Sequence, residues 1–282
     1  MLKMKNVAKT LLPLAALALA ATSATAATTA YSNLVLGDNP LVYYQLDETS
    51  GTTAVNSGSL GAALDSAINT ASGSVTINQT SFPQGGASYS FGGGVVTAAA
   101  LTDSLAEWSI EAWVNYSSGS ASNFLSNDQG GWNDDVLFGL GAENNNIPAN
   151  SVGLVHQGNP GSVRETVSSP LAAGEWHHIG MTGSESAGEI KLYVDGILVD
   201  TNNDLANGAT FNGADGFGGA PHLTMGASRT DGLRPYGGLL DEVAVYDSVL
   251  SGSDFLARTT IPEPGSALLL SLGGLMLLRR RR

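Results

Sequence analysis

Glu189-Ile190-Lys191-Leu192-Tyr193-Val194-Asp195-Gly196-Ile197-Leu198-Val199 reads as two strands and the turn between them. Successive side chains of an extended chain point to opposite faces, so Ile190, Leu192 and Val194 share one face and Lys191 and Tyr193 the other. Asp195-Gly196 then offers the positive φ angles that a two-residue hairpin turn requires. Outward from this hairpin the same alternation recurs. In the segment from Trp108 to Tyr116, Ile110, Ala112 and Val114 oppose Ser109, Glu111, Trp113 and Asn115. Trp176 to Thr182 and Leu239 to Tyr246 supply two further strands. Short apolar runs alternate with Gly, Asn, Ser and Thr, and long helical periodicity is absent, which predicts an all-β sandwich or barrel. Gly92-Gly93-Gly94 is read as a turn or bulge. The Asn- and Gly-rich stretch from Gly130 to Gly161 is expected to hold a strand or two among long loops.

Charge and composition narrow the function. Of 12 Lys+Arg, three lie before residue 27 and four after residue 260, and of 25 Asp+Glu one lies after residue 260. Residues 27–260 therefore hold five basic and 24 acidic side chains, a net charge of −19 with His neutral. Nucleic acid is disfavoured as a partner, because phosphate binding rests on Lys and Arg neutralising the backbone. An acidic surface suits solubility, cation binding and an extracellular setting. There is no cysteine, so stability must come from burial, and thiol chemistry and Cys-based zinc sites are ruled out.

The two ends read as topogenic signals. Lys3, Lys5 and Lys9 precede an apolar run from Leu11 to Ala20 and then the small residues Ala24-Thr25-Ala26. That order is the one a cleavable secretion signal needs, over residues 1–26, and the run is shorter than a membrane-spanning helix. At the other end Pro262-Glu263-Pro264 precedes an uncharged apolar stretch from Ala267 to Leu278 and then Arg279 to Arg282. The prolines hold the motif extended, the apolar stretch can enter a bilayer, and the arginines stay on the cytoplasmic side. As bare physics, residues 261–282 are a short membrane anchor. Their order resembles the PEP-CTERM sorting signal. That resemblance implies an exosortase that cuts near Pro262, Glu263 and Pro264, transient insertion in the inner membrane, and delivery to the cell surface or extracellular matrix of a Gram-negative bacterium.

Between the signals, residues 27–260 form one domain. Tyr44-Gln45-Leu46-Asp47-Glu48, Tyr89-Ser90-Phe91-Gly92-Gly93 and Ser109-Ile110-Glu111-Ala112-Trp113-Val114 occur in a fixed order. Gly174-Glu175-Trp176-His177-His178-Ile179, Lys191-Leu192-Tyr193-Val194-Asp195-Gly196 and the run from Gly237 to Tyr246 follow. This succession resembles laminin-G-like, concanavalin A-like domains over roughly residues 31 to 258. The resemblance implies a jelly roll of two packed antiparallel sheets with the first and last strands side by side.

An enzyme on such a fold is expected to be a glycosidase with two carboxylates across a cleft. The Glu-x-Asp-x-x-Glu run of such hydrolases is absent, and Glu107 and Glu111 on one extended strand would stand roughly 13 Å apart. No catalytic residue is assigned. His177 and His178 point to opposite faces of a strand and are read as structural. Asp47 and Glu48 near the start and Asp241 and Glu242 near the end approach one another if the terminal strands are neighbours. Asp47 and Asp241 are the candidate ligands of a calcium ion; the alternative is that these carboxylates cap strand ends in water. Asp241 shares parity with Val243 and Val245 and is expected to face the core. Trp132 and Tyr236, with Tyr116 and Phe217, are the candidate sugar-stacking rings, whereas Trp108, Trp113 and Trp176 fall in strand patterns and are assigned to the core.

The function expected from these observations is a non-catalytic surface module that binds carbohydrate, an exopolysaccharide or other matrix component. A structural or adhesion protein with protein partners is the alternative, and a polysaccharide-degrading enzyme the third reading.

Overall fold

The computed structural model describes residues 30–82, 85–99, 105–117, 122–128, 135–141, 147–158, 162–203 and 222–261. A helix over 30–37, α1, opens the described chain. The strands follow as β1 (Val42–Tyr44), β2 (Thr53–Ala54), β3 (Ser66–Asn69), β4 (Ser74–Thr80), β5 (Ala87–Gly92), β6 (Val95–Ala99), β7 (Glu107–Tyr116) and β8 (Ser122–Ser126). Then come β9 (Asp135–Leu140), β10 (Ser151–Gly158), β11 (Ser162–Pro170), β12 (His177–Ser184), β13 (Glu189–Val194), β14 (Ile197–Asn202), β15 (His222–Met225) and β16 (Gly237–Tyr246). Helix α2 (Gly252–Thr259) closes the domain.

Two antiparallel sheets result. The first runs β14-β13-β12-β7-β16-β5-β4, with β1 also paired to β16, and the second runs β11-β10-β9-β8-β15-β6-β3-β2. First and last strands are neighbours, with Val42 opposite Val245 and Tyr44 opposite Val243. The hairpin turn has the positive φ angles that its sequence predicts, 50° at Asp195 and 77° at Gly196. The core lies between the sheets. Ile110, Ala112, Val114, Ile179, Met181, Leu192, Val243 and Val245 face it from one side, and Val96, Ala98, Phe138, Leu140, Val152, Leu223 and Met225 from the other. Trp108 belongs to this core as well.

A second, smaller core lies on the outer face of the first sheet. The alternate residues Trp113, Tyr193, Ala244 and Tyr246 are covered there by Tyr31 and Val35 of α1, by Phe82, and by Leu250 and Phe255 beside and on α2. Trp176 packs against it. Helix α2 forms because Ser251 and Asp254 close a capping box and Phe255 gains a seat on the sheet. Both faces of the central strands are thus buried, so β7 and β12 carry side chains that no water reaches on either side.

Among the described residues no helix is long and apolar enough to cross a membrane. Both topogenic segments, residues 1–26 and the Pro262, Glu263 and Pro264 motif with its apolar stretch and arginines, lie outside the described residues.

Candidate functional site

Asp47, near the start of the domain, lies close enough to Asp241 and Glu242, near its end, for its charge to act on both. Asp47 follows β1, and Asp241 and Glu242 lie in β16, its partner strand. A bulge shapes this part of β16. Asp241 pairs with Trp113 and Ala244 with Glu111, so three steps on β16 answer two on β7, and Glu242 takes a left-handed φ of 53°. The extra residue breaks the parity read from the sequence. Asp241 does not face the main core with Val243 and Val245; it stands beside Trp113 on the helix-covered face.

Asp241 and Glu242 are both completely buried. The Ser81 hydroxyl donates to the Asp241 carboxylate, and the Tyr43 hydroxyl donates to Glu242 Oε2. Glu242 Oε1 is buried without any partner. Asp47 accepts the Ala87 N–H at 2.5 Å. Gly86 permits this approach, since a Cβ there would lie 2.4 Å from Asp47 Oδ1. Burial, then the charge of Glu242, pushes the Asp241 carboxyl well above the usual carboxylate range, and Asp47 adds to the effect. Burial, with the charges of Asp47 and Glu111, does the same to Glu242. Asp47 is itself raised by burial, with Glu48 contributing. Glu48 stands apart from the cluster. It accepts from Val55 N–H at 2.8 Å and from the Tyr89 hydroxyl at 2.7 Å.

The chemistry of this donor set fits a hard cation, which takes six to eight oxygen ligands and relieves repulsion among carboxylates. The fit is incomplete in one respect. Among the described residues no three acidic or His side chains converge into a ready cage. Asp47, Asp241 and Glu242 feel one another's charge without closing on one point, so an ion here would complete its shell with the Ser81 hydroxyl, carbonyl oxygens and water.

A second buried charge cluster ties the helices to the sheet. Glu111 is fully buried, 2.9 Å from His178 Nε2 and 3.3 Å from Arg258 Nε, and it also accepts from Tyr246. Arg258, on α2, reaches Asp38 beyond α1 at 2.5 Å. Burial works to raise the Glu111 carboxyl, but the His178 hydrogen bond and the Arg258 charge outweigh it and hold Glu111 below its ordinary range. Glu107, four residues earlier, sits near the surface and accepts from Ser186. His177 is half-buried with Nδ1 2.9 Å from Asp195.

The aromatic candidates separate. Tyr236 is not a surface ring: it is completely buried in the main core, near Phe91 and Phe124, with its hydroxyl donating to Leu239 O at 2.9 Å. Tyr116 is completely buried as well. Trp132 and Phe217 lie outside the described residues. Sequence reasoning passed over Ser81, Tyr43 and Gly86, which bind or make room for the carboxylates. Only the Gly85-Gly86 pair after Ser81-Phe82-Pro83-Gln84 offered a signal, as a loop able to approach another chain closely.

No curated protein matches the chain. Among solved structures, domain 4 of AbnA, a GH43 extracellular arabinanase from Geobacillus stearothermophilus, in complex with arabinotriose, is 16% identical with a TM-score of 0.56, covering 79% of this chain and 98% of that one. The binding domain of botulinum neurotoxin DC in complex with SialylT is 13% identical at a TM-score of 0.56, over 80% of this chain and 52% of that one. The binding domain of Paraclostridial Mosquitocidal Protein 1 is 11% identical at 0.57, over 79% and 52%. This chain thus spans about half the length of the two toxin binding domains. These likenesses are of fold. The laminin-G-like profile, described as the concanavalin A-like lectin/glucanases superfamily, matches residues 90–254, more than half of the chain, and the chain belongs to that superfamily.

Proposed function

We propose that the chain is a non-catalytic carbohydrate-binding module of an exported surface protein, with calcium held by Asp47 and Asp241 beside the buried Glu242. The observation that carries binding over hydrolysis is the commitment of Glu111. A glycosidase acid must meet the glycosidic oxygen. Glu111 is sealed beneath two helices and held as an anion by His178 and Arg258. Family membership supports the reading, as does the arabinotriose in the similar arabinanase domain. Trp132 stays the proposed stacking ring; Tyr236 is withdrawn from that role.

Calcium, once bound, supplies a divalent charge that lets Asp47, Asp241 and Glu242 ionise together in a dry place. Asp47 belongs to the segment after β1, and Asp241 and Glu242 to β16, so holding both ends of the chain on one ion stabilises the closure of the sheet. The ends of the protein direct it outward: cleavage near Ala26, then exosortase cleavage near Pro262-Glu263-Pro264.

Glycan-array binding of the full chain, with calcium and with a chelator, tests the module, and a reducing-sugar assay runs beside it. Retention on a polysaccharide without sugar release is the expected result; sugar release would turn the reading to an enzyme. Mass spectrometry of surface material should find neither the first 26 residues nor Arg279 to Arg282.

A further inference from the structure

Both ends of the described domain join the second core. Tyr31, the second residue of α1, is fully buried there, and its hydroxyl accepts the Trp113 Nε1–H at 2.9 Å. Ile261, two residues past α2, packs against the same cluster. The chain therefore enters and leaves on one side of the sandwich, the helix-covered face of the first sheet. The ion pair of Arg258 with Asp38 ties the two helices together at that side.

The same side carries exposed apolar side chains. Leu34 and Leu36 flank the buried stripe of Tyr31 and Val35 on α1 and are 37% and 42% exposed. Leu256 of α2, 46% exposed, sits against the hairpin turn, where a Cβ on Gly196 would lie 2.5 Å from its Cα. Ile197 and Leu198 follow that turn, at 65% and 48%. Leu198 pairs with Tyr193, whose ring lies 4.9 Å from that of Phe255, so it shares the helix-covered face. Single exposed apolar residues need no explanation, but these border one core where the chain comes and goes.

The chain beyond this face tells what it meets. Three residues separate Ala26 from Ala30, and five separate Ile261 from the apolar stretch that begins at Ala267. Fully extended, the first link reaches at most about 14 Å and the second about 22 Å. With these segments in a bilayer, the second-core face is held within that distance of the lipid.

We propose that the apolar rim of the second core, formed by Leu34, Leu36, Ile197, Leu198 and Leu256, is a membrane-facing surface that rests on neutral lipid while the ends of the chain are inserted. The inference rests on the export reading and extends it. Tethering makes the contact intramolecular, so a patch too small to hold a free domain suffices. The contact is apolar and not ionic, because the net −19 of residues 27–260 repels anionic headgroups. It presents Pro262-Glu263-Pro264 at the bilayer surface to a membrane-bound protease, and cleavage there ends the tether and frees the domain.

The test uses the full chain in phosphatidylcholine bilayers. The chain has no cysteine, so Leu36→Cys, Leu256→Cys and Ala67→Cys each create one site for an environment-sensitive fluorophore. Ala67 is exposed on β3, and its neighbour Ile68 packs on the main core, so it marks the outer face of the second sheet. Fluorophores at positions 36 and 256 should shift to the blue and be quenched several-fold more by lipids carrying a nitroxide near the headgroup than the one at position 67. Ile197→Glu/Leu198→Glu, at two exposed positions, should melt like wild type and lower quenching at position 256 to the level at 67. Equal quenching at all three positions would mean that the domain tumbles on its tether, and the surface would be overturned. Shielding at position 256 that follows protein concentration and ignores the quencher would give the face to a second copy of the chain instead. Stronger contact with phosphatidylglycerol, lost in salt, would overturn the neutral assignment. A wild type that does not float with the bilayers would overturn the export reading itself.

Discussion

Phe255 of α2 sits directly on Gly180 of β12: a Cβ on Gly180 would come within 2.7 Å of the phenyl ring. The sheet is one side chain short at that point, and the helix fills the gap. Gly180→Ala forces overpacking and should cost about 1–3 kcal/mol. For a domain of this size that lowers Tm by about 2–4 °C per kcal/mol. Phe255→Ala empties the second core and should cost about 3–5 kcal/mol. In the double variant the clash is gone, so calorimetry should find it more stable than the two losses added together. Strict additivity would mean that ring and glycine do not constrain each other.

Glu111→Gln should be among the most damaging single changes, because it leaves Arg258 and His178 facing each other in a dry interior. A loss of about 3–5 kcal/mol is expected from breaking such a buried pair. The pH dependence has a definite sign. The folded carboxyl lies below its unfolded value of about 4.3, so its contribution is present above that value and is lost as pH falls through the folded one. Urea midpoints between pH 3 and 6 should slope less in Glu111→Gln than in wild type. An unchanged slope would assign the acid limb to other carboxylates.

These two contacts also mark where sequence reading reached and where it stopped. The Asp195-Gly196 hairpin and the alternation of β7 are local: turn chemistry and parity specify them within ten residues. Glu111 reads as the solvent side of an alternating strand, and it would be so without the helices. Helices α1 and α2 are short, and their apolar residues reach the sheet only in three dimensions. The signal for α2 was present as Ser251, Asp254, Phe255 and Arg258, a capping box with one apolar and one basic residue at helical spacing. Asp241 was misplaced for another reason. Parity counting assumes an unbroken strand, and nothing in Leu240-Asp241-Glu242-Val243 announces a non-glycine residue at positive φ. Tyr236 was misplaced because the residues before it are rich in turn formers, though its ring turns inward just ahead of β16.

The acidic cluster gives the prediction with the widest reach. Asp241 and Glu242 have folded pKa values raised well above the ordinary range, chiefly by burial and then by neighbouring charges. Without a cation the folded chain therefore holds protons that the unfolded chain releases. Between about pH 4 and the raised folded values, stability must then fall as pH rises. If calcium is held as proposed, it replaces those protons and binds the folded chain alone, so it should raise Tm, and by more at pH 8 than at pH 5. Asp241→Asn removes one buried charge and one ligand. It should melt higher than wild type in chelator and respond little to calcium, whereas Asp231→Ala, at an exposed loop, should keep the full response. Magnesium should substitute poorly, since it prefers a tight octahedral shell and retains its waters. If wild-type melting is the same in calcium and in chelator at pH 8, the carboxylates are protonated structural groups, and the stability they lose with rising pH has no ion to restore it.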